Sequence, residues 1–409
     1  MAGTEETAPA RNVLNATPGH VLALIRSRPE WTRQQLLDAT GMSRPTLQDR
    51  LAPLFASGLI RAAGVEASGG GRPAELIRFD DRHLVVLTFD VGHTHARVGV
   101  SGVDGRQLRT REVRLDITNT PPETAVDLLI ELGTAVMAGD GRERLVGVGV
   151  GLPAPILPAT GRPGPTPIMP GWERYPLLER LRAHWPVPTV VENDARALVL
   201  GEATRHPEST VLGLKWANGI GAGLVTKGRT LSGDDGAAGD IGHVMLNSSG
   251  PRCRCGRRGC LAAYASGYAL RARFASAGIA GLDEIATRAA AGDPEICAAL
   301  DKAARRVGGV LAALIALTNP RVLVLGGIIG ALPRVVDAVA ARVRAVTLSR
   351  STESLRIVAS QLGPRACTVG LVHLVVERVF APEAIDRTLA AGTGLAVPAN
   401  ATPRPRRSR

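Results

Sequence analysis

Hydrophobic and polar positions divide the chain into two parts, of which the first ends near residue 80. Between residues 18 and 57 apolar positions recur at helical spacing, with Thr32 and Ser43 placed as N-caps and Gly41 in the turn between two helices. Apolar runs at residues 59–60 and 74–79 then flank a glycine-rich tip and predict a β-hairpin. This order predicts a winged helix-turn-helix domain over residues 18–80, with Pro53 ending or kinking its third helix.

Such a domain inserts the N-terminal end of its third helix into the major groove of double-stranded DNA. Arg and Gln can hydrogen-bond base edges there, Ser and Thr suit phosphates, and an arginine at the wing tip can enter the minor groove. The candidate DNA contacts are Ser43, Arg44, Thr46, Leu47, Gln48, Arg50 and Arg72. Residues 1–80 hold nine arginines against eight carboxylates, so affinity depends on where the arginines lie. The alternative is a small module for dimerisation or protein interaction.

From residue 81 onward, strand-like apolar runs alternate with alanine-rich helical stretches, which is typical of a layered α/β fold. The buried-strand candidates are residues 84–89, 96–101, 145–150, 189–191, 211–214 and 322–325. We place one domain over residues 84–390, split into two lobes near residues 195–200, with a helix near 365–380 crossing back. The polar segments 1–17 and 391–409 are predicted to be disordered, and the basic tail alternatively makes a weak DNA contact.

Composition bears on partners and compartment. A net charge of +12, from 49 Lys and Arg against 37 Asp and Glu, favours an anionic partner such as DNA. GC-rich coding explains why lysine occurs only at Lys215, Lys227 and Lys302, but it does not explain the excess of cations. The chain has no run of about 18 apolar residues and no secretory signal, so we expect a cytoplasmic protein that does not enter membranes.

Four residues have the spacing of a metal site, His-x9-Cys-x-Cys-x4-Cys. They are His243, Cys253, Cys255 and Cys260. Three thiolates and one imidazole complete the tetrahedral coordination of Zn²⁺ with no open position. The pattern therefore predicts a structural zinc site rather than a hydrolytic one.

Glycine turns after buried strands suggest a site for phosphate and polyol groups. Residues 90–94, 218–223 and 326–327 can each bring main-chain N–H groups to a phosphate, and together they are better evidence than one alone. Asn193 and Asp194 end a strand and begin a helix, where the amide can hold a polyol and the carboxylate can act as general base. The alternative for this pair is a helix N-cap.

These motifs together resemble the ROK family (repressors, open reading frames and kinases) over about residues 84–380. The matching segments are 151–155, 171–172, 192–195, 236–243 and the zinc motif with Gly259-Cys260-Leu261. With its winged domain and GGRPA tip, the chain resembles the repressor branch typified by regulators of xylose and N-acetylglucosamine use. The resemblance implies a two-lobed actin-like, ribonuclease-H-like ATPase fold and a homodimer or homotetramer. It also implies sugar or effector binding at Asn193, Asp194, Asp240 and His243.

Two phosphate loops depart from the pattern of the family's kinases. The first usually reads Asp-x-Gly-Gly-Thr-Lys, but here His93 replaces the second glycine and His95 the lysine. The second usually contains Gly-Thr-Gly, but here it is Ala217-Asn218-Gly219. A histidine fills space that glycine leaves for phosphate. We therefore expect that the chain is not an enzyme and that Asp194, the kinase base by similarity, is vestigial.

The sugar site departs from the pattern as well. The usual glutamate three residues before the zinc histidine is Asp240, and the glutamate usual after Gly-Cys-Leu is Ala262. Loss of a hydrogen bond to a charged group costs about 1.5–3 kcal/mol. A typical hexose would therefore bind weakly, or the effector has a different shape.

Taken together, the residues and the resemblance predict a transcriptional repressor of carbohydrate genes that binds a palindromic operator and a sugar effector and contains structural Zn²⁺. One alternative is an ATP-dependent ROK sugar kinase with a fused DNA-binding domain. The other is a constitutive DNA-binding regulator whose effector pocket has decayed, for which Ala262 is the best support.

Overall fold

Three short helices and a three-stranded antiparallel sheet form the N-terminal unit, which comprises residues 16–65 and 74–80. The computed structural model describes residues 16–65, 74–139, 143–279, 281–392, 395 and 397–398. The strand order in this unit is β1-β3-β2. Its elements are α1 (Pro18–Arg26), β1 (Trp31–Thr32), α2 (Arg33–Thr40), α3 (Arg44–Ala56), β2 (Ile60–Val65) and β3 (Glu75–Phe79).

Local signals in the sequence explain where these helices begin and end. Thr32 and Gln35 form a reciprocal capping box at α2, and Ser43 accepts a hydrogen bond from the N–H of Thr46 at α3. Gly41 ends α2 at φ 67°, a left-handed conformation that favours glycine. The prediction that α3 ends at Pro53 is wrong, because the helix continues to Ala56, whereas a kink there stays a prediction. Pro53 lies in the last turn, where it forfeits one main-chain hydrogen bond, and burial of the neighbouring leucines holds the helix.

The N lobe is a mixed six-stranded sheet with two helices, and its sixth strand is the short C-terminal segment Val397–Pro398. Strands β4, β5 and β6 are antiparallel, whereas β7 runs parallel to both β4 and β8. The elements are β4 (Leu84–Val91), β5 (His95–Gly102), β6 (Gln107–Arg114), α4 (Pro122–Met137), β7 (Arg144–Leu152), α5 (Leu177–His184) and β8 (Thr189–Asn193). Apolar side chains of β4, β5 and β7 form one core with α4 and α5. The parallel strands are buried along nearly their whole length, as their continuous apolar runs predict.

The C lobe is a five-stranded sheet of order β11-β10-β9-β12-β13, covered by helices. Its strands are β9 (Val211–Trp216), β10 (Ile220–Thr226), β11 (Arg229–Thr230), β12 (Val322–Gly326) and β13 (Arg356–Ala359). Its helices are α6 (Asp194–Ala203), α7 (Leu261–Ala265), α8 (Gly267–Phe274), α9 (Leu282–Ala290), α10 (Pro294–Thr318), α11 (Gly327–Gly330), α12 (Pro333–Val346) and α13 (Ser349–Thr352). The core lies between this sheet and helices that include α10 and α12.

One C-terminal helix joins the parts of the molecule. Helix α14 (Ala366–Val379) packs on α6 and also on strands β4 and β7 of the N lobe. The crossing of α6 and α14 is close, since a Cβ on Gly201 would lie 1.9 Å from the carbonyl oxygen of Ala366. A Cβ on Gly370 would lie 1.9 Å from the carbonyl oxygen of Ala197. Both positions therefore require glycine.

The N-terminal unit shares a hydrophobic core with the end of α14 and with α15 (Pro382–Ala390). The rings of Phe79 and Phe380 meet edge to face at 5.2 Å. The N–H of Gly19 donates to Asp386 Oδ1 at 2.8 Å, so α15 supplies the N-terminal cap that Thr17 does not provide. The unit is therefore packed on the domain that follows it rather than tethered to it.

Several predicted features lie outside the described residues. They are Arg72 with the rest of segment 66–73, residues 1–15, and residues 399–409. Within the predicted tail, β14 (Val397–Pro398) pairs antiparallel with the start of β7. The proposed domain boundaries stay a prediction. Among the helices that the structure describes, none has both the length and the apolar character needed to cross a membrane.

Candidate functional site

The junction of β8 and α6 places Asn193 and Asp194 between the lobes. Asn193 Oδ1 accepts hydrogen bonds from the N–H groups of Ala195 and Arg196, and its Nδ2 donates to the carbonyl of Ala154 at 3.1 Å. The side-chain oxygen of Asn193 therefore caps the start of α6, as the alternative interpretation predicted. Asp194 occupies the first position of α6 and is buried.

Asp194 forms an ion pair with Lys215 that the sequence reasoning missed. Lys215 Nζ lies 2.7 Å from Asp194 Oδ2, and the two side chains are 17% and 10% exposed. Burial lowers the pKa of Lys215, but the charges of Asp194 and Asp90 outweigh it and raise that pKa above its ordinary value. A lysine inside a buried strand, in a chain with only three lysines, is the signal that could have revealed it.

A second carboxylate, Asp90, lies near the end of β4 beside this pair. Its Oδ1 is buried with no hydrogen-bond partner among the described residues. Cys367, in the first turn of α14, lies close enough to interact with Asp90, and burial raises the pKa of its thiol well above the ordinary value. Burial therefore keeps this thiol protonated.

The two departures from the kinase pattern contact each other across the lobes. Asn218 Nδ2 donates to His93 Nδ1 at 3.0 Å, and Arg271 Nη2 donates to Asn218 Oδ1 at 2.7 Å. Burial is the main cause that lowers the pKa of His93 to about 4, so the ring is neutral at neutral pH. With Nδ1 accepting, the ring proton lies on Nε2. The sequence identifies His93 and Asn218 as separate departures from the kinase pattern, but their contact arises only in the folded structure.

The loop at residues 236–243 is fixed by a buried arginine that the sequence reasoning also missed. Arg196 Nη2 lies 2.6 Å from Glu192 Oε1, and Arg196 Nη1 donates to the carbonyl of Gly236 at 2.7 Å. Gly236 has φ 71° and packs on Ile156 so closely that a Cβ would lie 1.8 Å from its carbonyl oxygen. The loop is therefore held against both the N lobe and α6.

Asp240 and His243 lie together at the far end of that loop. His243 Nδ1 faces Cys253 Sγ at 3.5 Å, and its Nε2 lies 3.8 Å from Asp240 Oδ1. The side chain of Asp240 is half exposed, so its carboxylate is available to a ligand. Ala262 is buried and offers no polar group. The structure thus gathers the four candidate sugar residues as two pairs, Asn193 with Asp194 and Asp240 with His243.

The four predicted metal ligands converge in space. One ligand atom from each of His243, Cys253, Cys255 and Cys260 lies within 4.8 Å of all the others. Short bridges between residues 252 and 258 and between 245 and 260 hold the loop in place. A set of one nitrogen and three sulfur atoms at this separation fits a tetrahedral Zn²⁺, so the residues present suit the metal. The group can bind a metal ion.

The candidate DNA contacts are only partly presented on the surface. Ser43, Arg44 and Gln48 are exposed on α3, and Gln48 accepts a hydrogen bond from Arg33. Leu47 is 2% exposed and packs in the core of the N-terminal unit, so its side chain does not face a DNA groove. Arg50 Nε donates to the carbonyl of Ala16. Thr46 bonds the capping Ser43, and Arg72 lies outside the described residues.

Comparison with known proteins identifies the family. The model of the ROK family matches residues 86–378, and the chain belongs to that family. Glucokinase from Thermotoga maritima is 31% identical over 317 residues, which cover 72% of this chain and 98% of the glucokinase. The two-lobed architecture described above is the actin-like ROK fold.

Two solved structures extend the comparison. A ROK family transcriptional regulator, described as a homologue of the E. coli MLC protein, is 23% identical with a TM-score of 0.75 and covers 91% of this chain and 98% of its own. At that identity it shows the fold alone. A glucokinase from Streptomyces griseus, in complex with glucose and AMPPNP, is 26% identical with a TM-score of 0.61 and covers 71% of this chain and 98% of its own.

These relatives overturn the prediction that the chain is not an enzyme. The relatives at about this identity are named kinases, and one of them was solved with glucose and a nucleotide analogue. The prediction relied on what His93 and Asn218 remove from the phosphate loops. It gave too little weight to Asp194, which is retained at the lobe junction, and it did not foresee Lys215 beside it. The comparisons point to a kinase and to a sugar-related function.

Proposed function

We propose that this ROK protein is a sugar-responsive transcriptional regulator, in which residues 18–80 form a winged helix-turn-helix and the two lobes bind a sugar. The observation that carries the proposal is the shared core of the N-terminal unit, α14 and α15. Cys367, in the first turn of α14, lies near Asp90 and Lys215, and the helix ends beside Phe380, which contacts Phe79 of the N-terminal unit. A change at the lobe junction can therefore reach the N-terminal unit through one helix.

The coupling follows from geometry. A sugar that binds better when the lobes are closed shifts the population toward closure, whichever state is more populated beforehand. Closure moves α6 relative to β4 and β7, and α14 packs on all three elements. Paired recognition helices of a dimer must match half-sites about one helical turn apart. A small rotation of the N-terminal units then alters operator affinity, which supports a repressor released by its sugar.

A structural Zn²⁺ belongs to the proposal, held by His243, Cys253, Cys255 and Cys260. The ion would crosslink the loop that carries Asp240, and metal binding of this kind contributes directly to folding. Metal analysis of the purified protein tests the ligand set. We expect one equivalent of zinc in the wild type and a large loss in Cys255→Ser. Full zinc occupancy in that variant would remove Cys255 from the ligands.

DNA selection with the full chain tests the regulatory role. We expect enrichment of an inverted repeat, and the enriched sequence should bind more weakly when its cognate sugar is added. Arg44→Ala should reduce binding, because Arg44 is exposed at the start of α3, whereas Arg182→Ala on the exposed face of α5 serves as the control. Absence of any enriched sequence would contradict the proposal.

A second function, an ATP-dependent sugar kinase, is favoured by the kinase relatives and by the position of Asp194 at the start of α6. A coupled assay with glucose and N-acetylmannosamine tests it. Turnover that disappears in Asp194→Asn would assign phosphoryl transfer to this site, since a carboxylate base accepts the hydroxyl proton. The two functions are not exclusive. DNA selection and the kinase assay report on them separately.

A further inference from the structure

Arginine is concentrated in one stretch of the chain from which carboxylates are missing. Residues 241–282 contain six arginines and no Asp, Glu or Lys, so half of the net charge of +12 lies in about a tenth of the sequence. Four of the six belong to the cysteine loop, residues 250–260, and all four are exposed: Arg252, Arg254, Arg257 and Arg258. The excess of cations that coding bias does not explain is therefore in large part a feature of one region of the surface.

The four arginines of the cysteine loop are not neutralised by ion pairs with any carboxylate of the described residues. Arg254 stacks on the ring of Tyr268, and Arg258 Nη1 donates to the carbonyl of Gly250 at 3.3 Å. Like charges this close in sequence repel one another, and an anionic partner relieves that repulsion. The loop is therefore suited to a partner that carries negative charge.

An exposed apolar segment lies beside these arginines. Val244, Met245 and Leu246 are 44%, 53% and 38% exposed. Met245 pairs antiparallel with Cys260, and Arg252 pairs in the same way with Arg258, two residues before Cys260. The apolar side chains and the arginines thus belong to one small unit of paired chain. Single apolar residues on a surface are ordinary, but three in succession are typical of a contact site.

The same segment has an unpaired main-chain edge. The N–H of Leu246 donates to the carbonyl of Gly259, and the carbonyl of Val244 accepts from the N–H of Leu261. Both bonds face residues 259–261, so the N–H and C=O of Met245 point to the opposite side, where no described residue bonds them. An extended chain can add to such an edge as a further strand.

We propose that residues 244–246 and the cysteine loop form a docking surface for an extended, acidic segment of another protein. Main-chain hydrogen bonds at Met245 align the segment, its apolar side chains cover residues 244–246, and its carboxylates pair with the arginines. A second copy of this chain does not fit, because a two-fold contact through this surface sets arginines against arginines. Nucleic acid pairs with arginines through its phosphates but leaves the apolar side chains uncovered.

Selection of random peptides displayed on phage, with the full-length protein as target, tests this surface. We expect enrichment of sequences in which Asp or Glu accompanies Val, Ile or Leu. An enriched peptide, synthesised and labelled, should bind more weakly as salt is raised, because ions screen exposed charges. Arg257→Glu should weaken its binding about 10-fold or more, the loss for one charged hydrogen bond. Met245→Ser should weaken it about fivefold through lost apolar burial.

Matched controls make the same kinds of change elsewhere. Arg182→Glu reverses the charge of an exposed arginine on α5, and Leu317→Ser removes an apolar side chain of α10 from a residue that is 82% exposed. Both variants should bind the peptide as the wild type does. Zinc content and unfolding temperature should match the wild type in all four variants, since each substitution is at an exposed position.

The proposal is overturned if no peptide is enriched, if the enriched peptides lack acidic residues, or if Arg257→Glu and Met245→Ser bind the peptide as tightly as the wild type. It is also overturned if Arg257→Glu weakens binding to double-stranded DNA of random sequence but not to the peptide, which would assign the surface to nucleic acid. A lower molar mass of Met245→Ser in solution would assign it to a second copy of the chain and would overturn the proposal as well.

Discussion

At the scale of single residues, the buried ion pair of Glu192 and Arg196 holds the loop at residues 236–243. The two side chains are 10% and 2% exposed, and Arg196 also donates to the carbonyl of Gly236. Arg196→Met leaves the Glu192 carboxylate buried without its partner, which typically costs about 3–5 kcal/mol. We therefore expect a loss of this size in the free energy of unfolding, measured by urea denaturation.

Arg182→Met is the control for this experiment, because Arg182 is exposed on α5 and surface substitutions usually change stability by less than about 0.5 kcal/mol. Equal stability of the Arg182 and Arg196 variants would show that the buried pair contributes little. A loss in Arg196→Met that is restored by the double variant Glu192→Leu, Arg196→Met would support the unpaired charge as the cause.

His93 gives a prediction about pH. Its pKa is lowered from 6.5 to about 4 by burial, so between these values the unfolded chain binds a proton that the folded chain does not. Stability should therefore fall as the pH drops from about 6.5 toward 4, by up to about 3 kcal/mol at 1.36 kcal/mol per unit. The difference in the free energy of unfolding between pH 7.5 and pH 5, measured by urea denaturation, should be smaller in His93→Gln than in the wild type. His83→Gln, at an exposed position, should keep the wild-type difference.

Residues whose roles depend on distant partners could not be predicted from the sequence. Asn193 was predictable as a cap because its partners are two and three residues away. Lys215 and Arg196 make their contacts over 21 and 40 positions, and no local pattern connects those positions. The metal ligands were predictable because coordination chemistry fixes their types and spacing.

At the scale of elements, the crossing of α6 and α14 depends on two glycines. Gly370→Ala places a Cβ 1.9 Å from the carbonyl oxygen of Ala197, a main-chain atom that cannot move without shifting α6. Overpacking of this kind costs about 3 kcal/mol or more. Thermal unfolding should show a large loss of stability in Gly370→Ala.

The matched control is Gly309→Ala in α10, where no other atom lies within 4 Å of the new Cβ. There alanine should stabilise the helix by about 0.5–1 kcal/mol, because glycine loses more backbone entropy on folding. The two substitutions are therefore expected to change stability in opposite directions. If Gly370→Ala left the unfolding temperature unchanged, α6 and α14 would be able to move apart without a loss of stability.

Element types followed from the sequence, but their packing did not. The strands over residues 84–89, 145–150 and 322–325 were predicted from continuous apolar runs, and all three are buried strands. Pro53 was expected to end or kink α3, but the helix does not end there, because tertiary burial of the flanking leucines outweighs a local preference. The close approach of α6 and α14 involves glycines 169 positions apart, at 201 and 370, which no periodicity links.

At the scale of the whole molecule, the N-terminal unit is attached to one side of the ROK domain and faces the C lobe across open space. Its core is continuous with α14 and α15. A cleft of about 790 Å³ lies between α1, α14 and the hairpin formed by β10 and β11, and Arg26, His373 and Arg229 are among its lining residues.

The attachment of α1 to α15 gives the last prediction. Asp386 Oδ1 accepts the hydrogen bond from the N–H of Gly19, so Asp386→Ala removes a cap worth about 1 kcal/mol from the start of α1. We expect the amides of α1 to exchange with deuterium faster, since opening of the helix end costs less free energy. The ratio of operator affinities without and with the sugar should fall toward one if the proposed coupling between sugar and DNA runs through this contact.

Affinities of the separate ligands distinguish loss of coupling from loss of folding. In Asp386→Ala, sugar affinity and operator affinity without sugar should each stay within about threefold of wild type, while the ratio between the two operator affinities falls. Coupling is a free energy between two sites, so it can be lost while each site remains intact. Asp337→Ala, on the exposed face of α12, should leave the ratio unchanged. An unchanged ratio in Asp386→Ala, with faster exchange in α1, would locate the coupling in the aromatic contact of Phe79 and Phe380 instead.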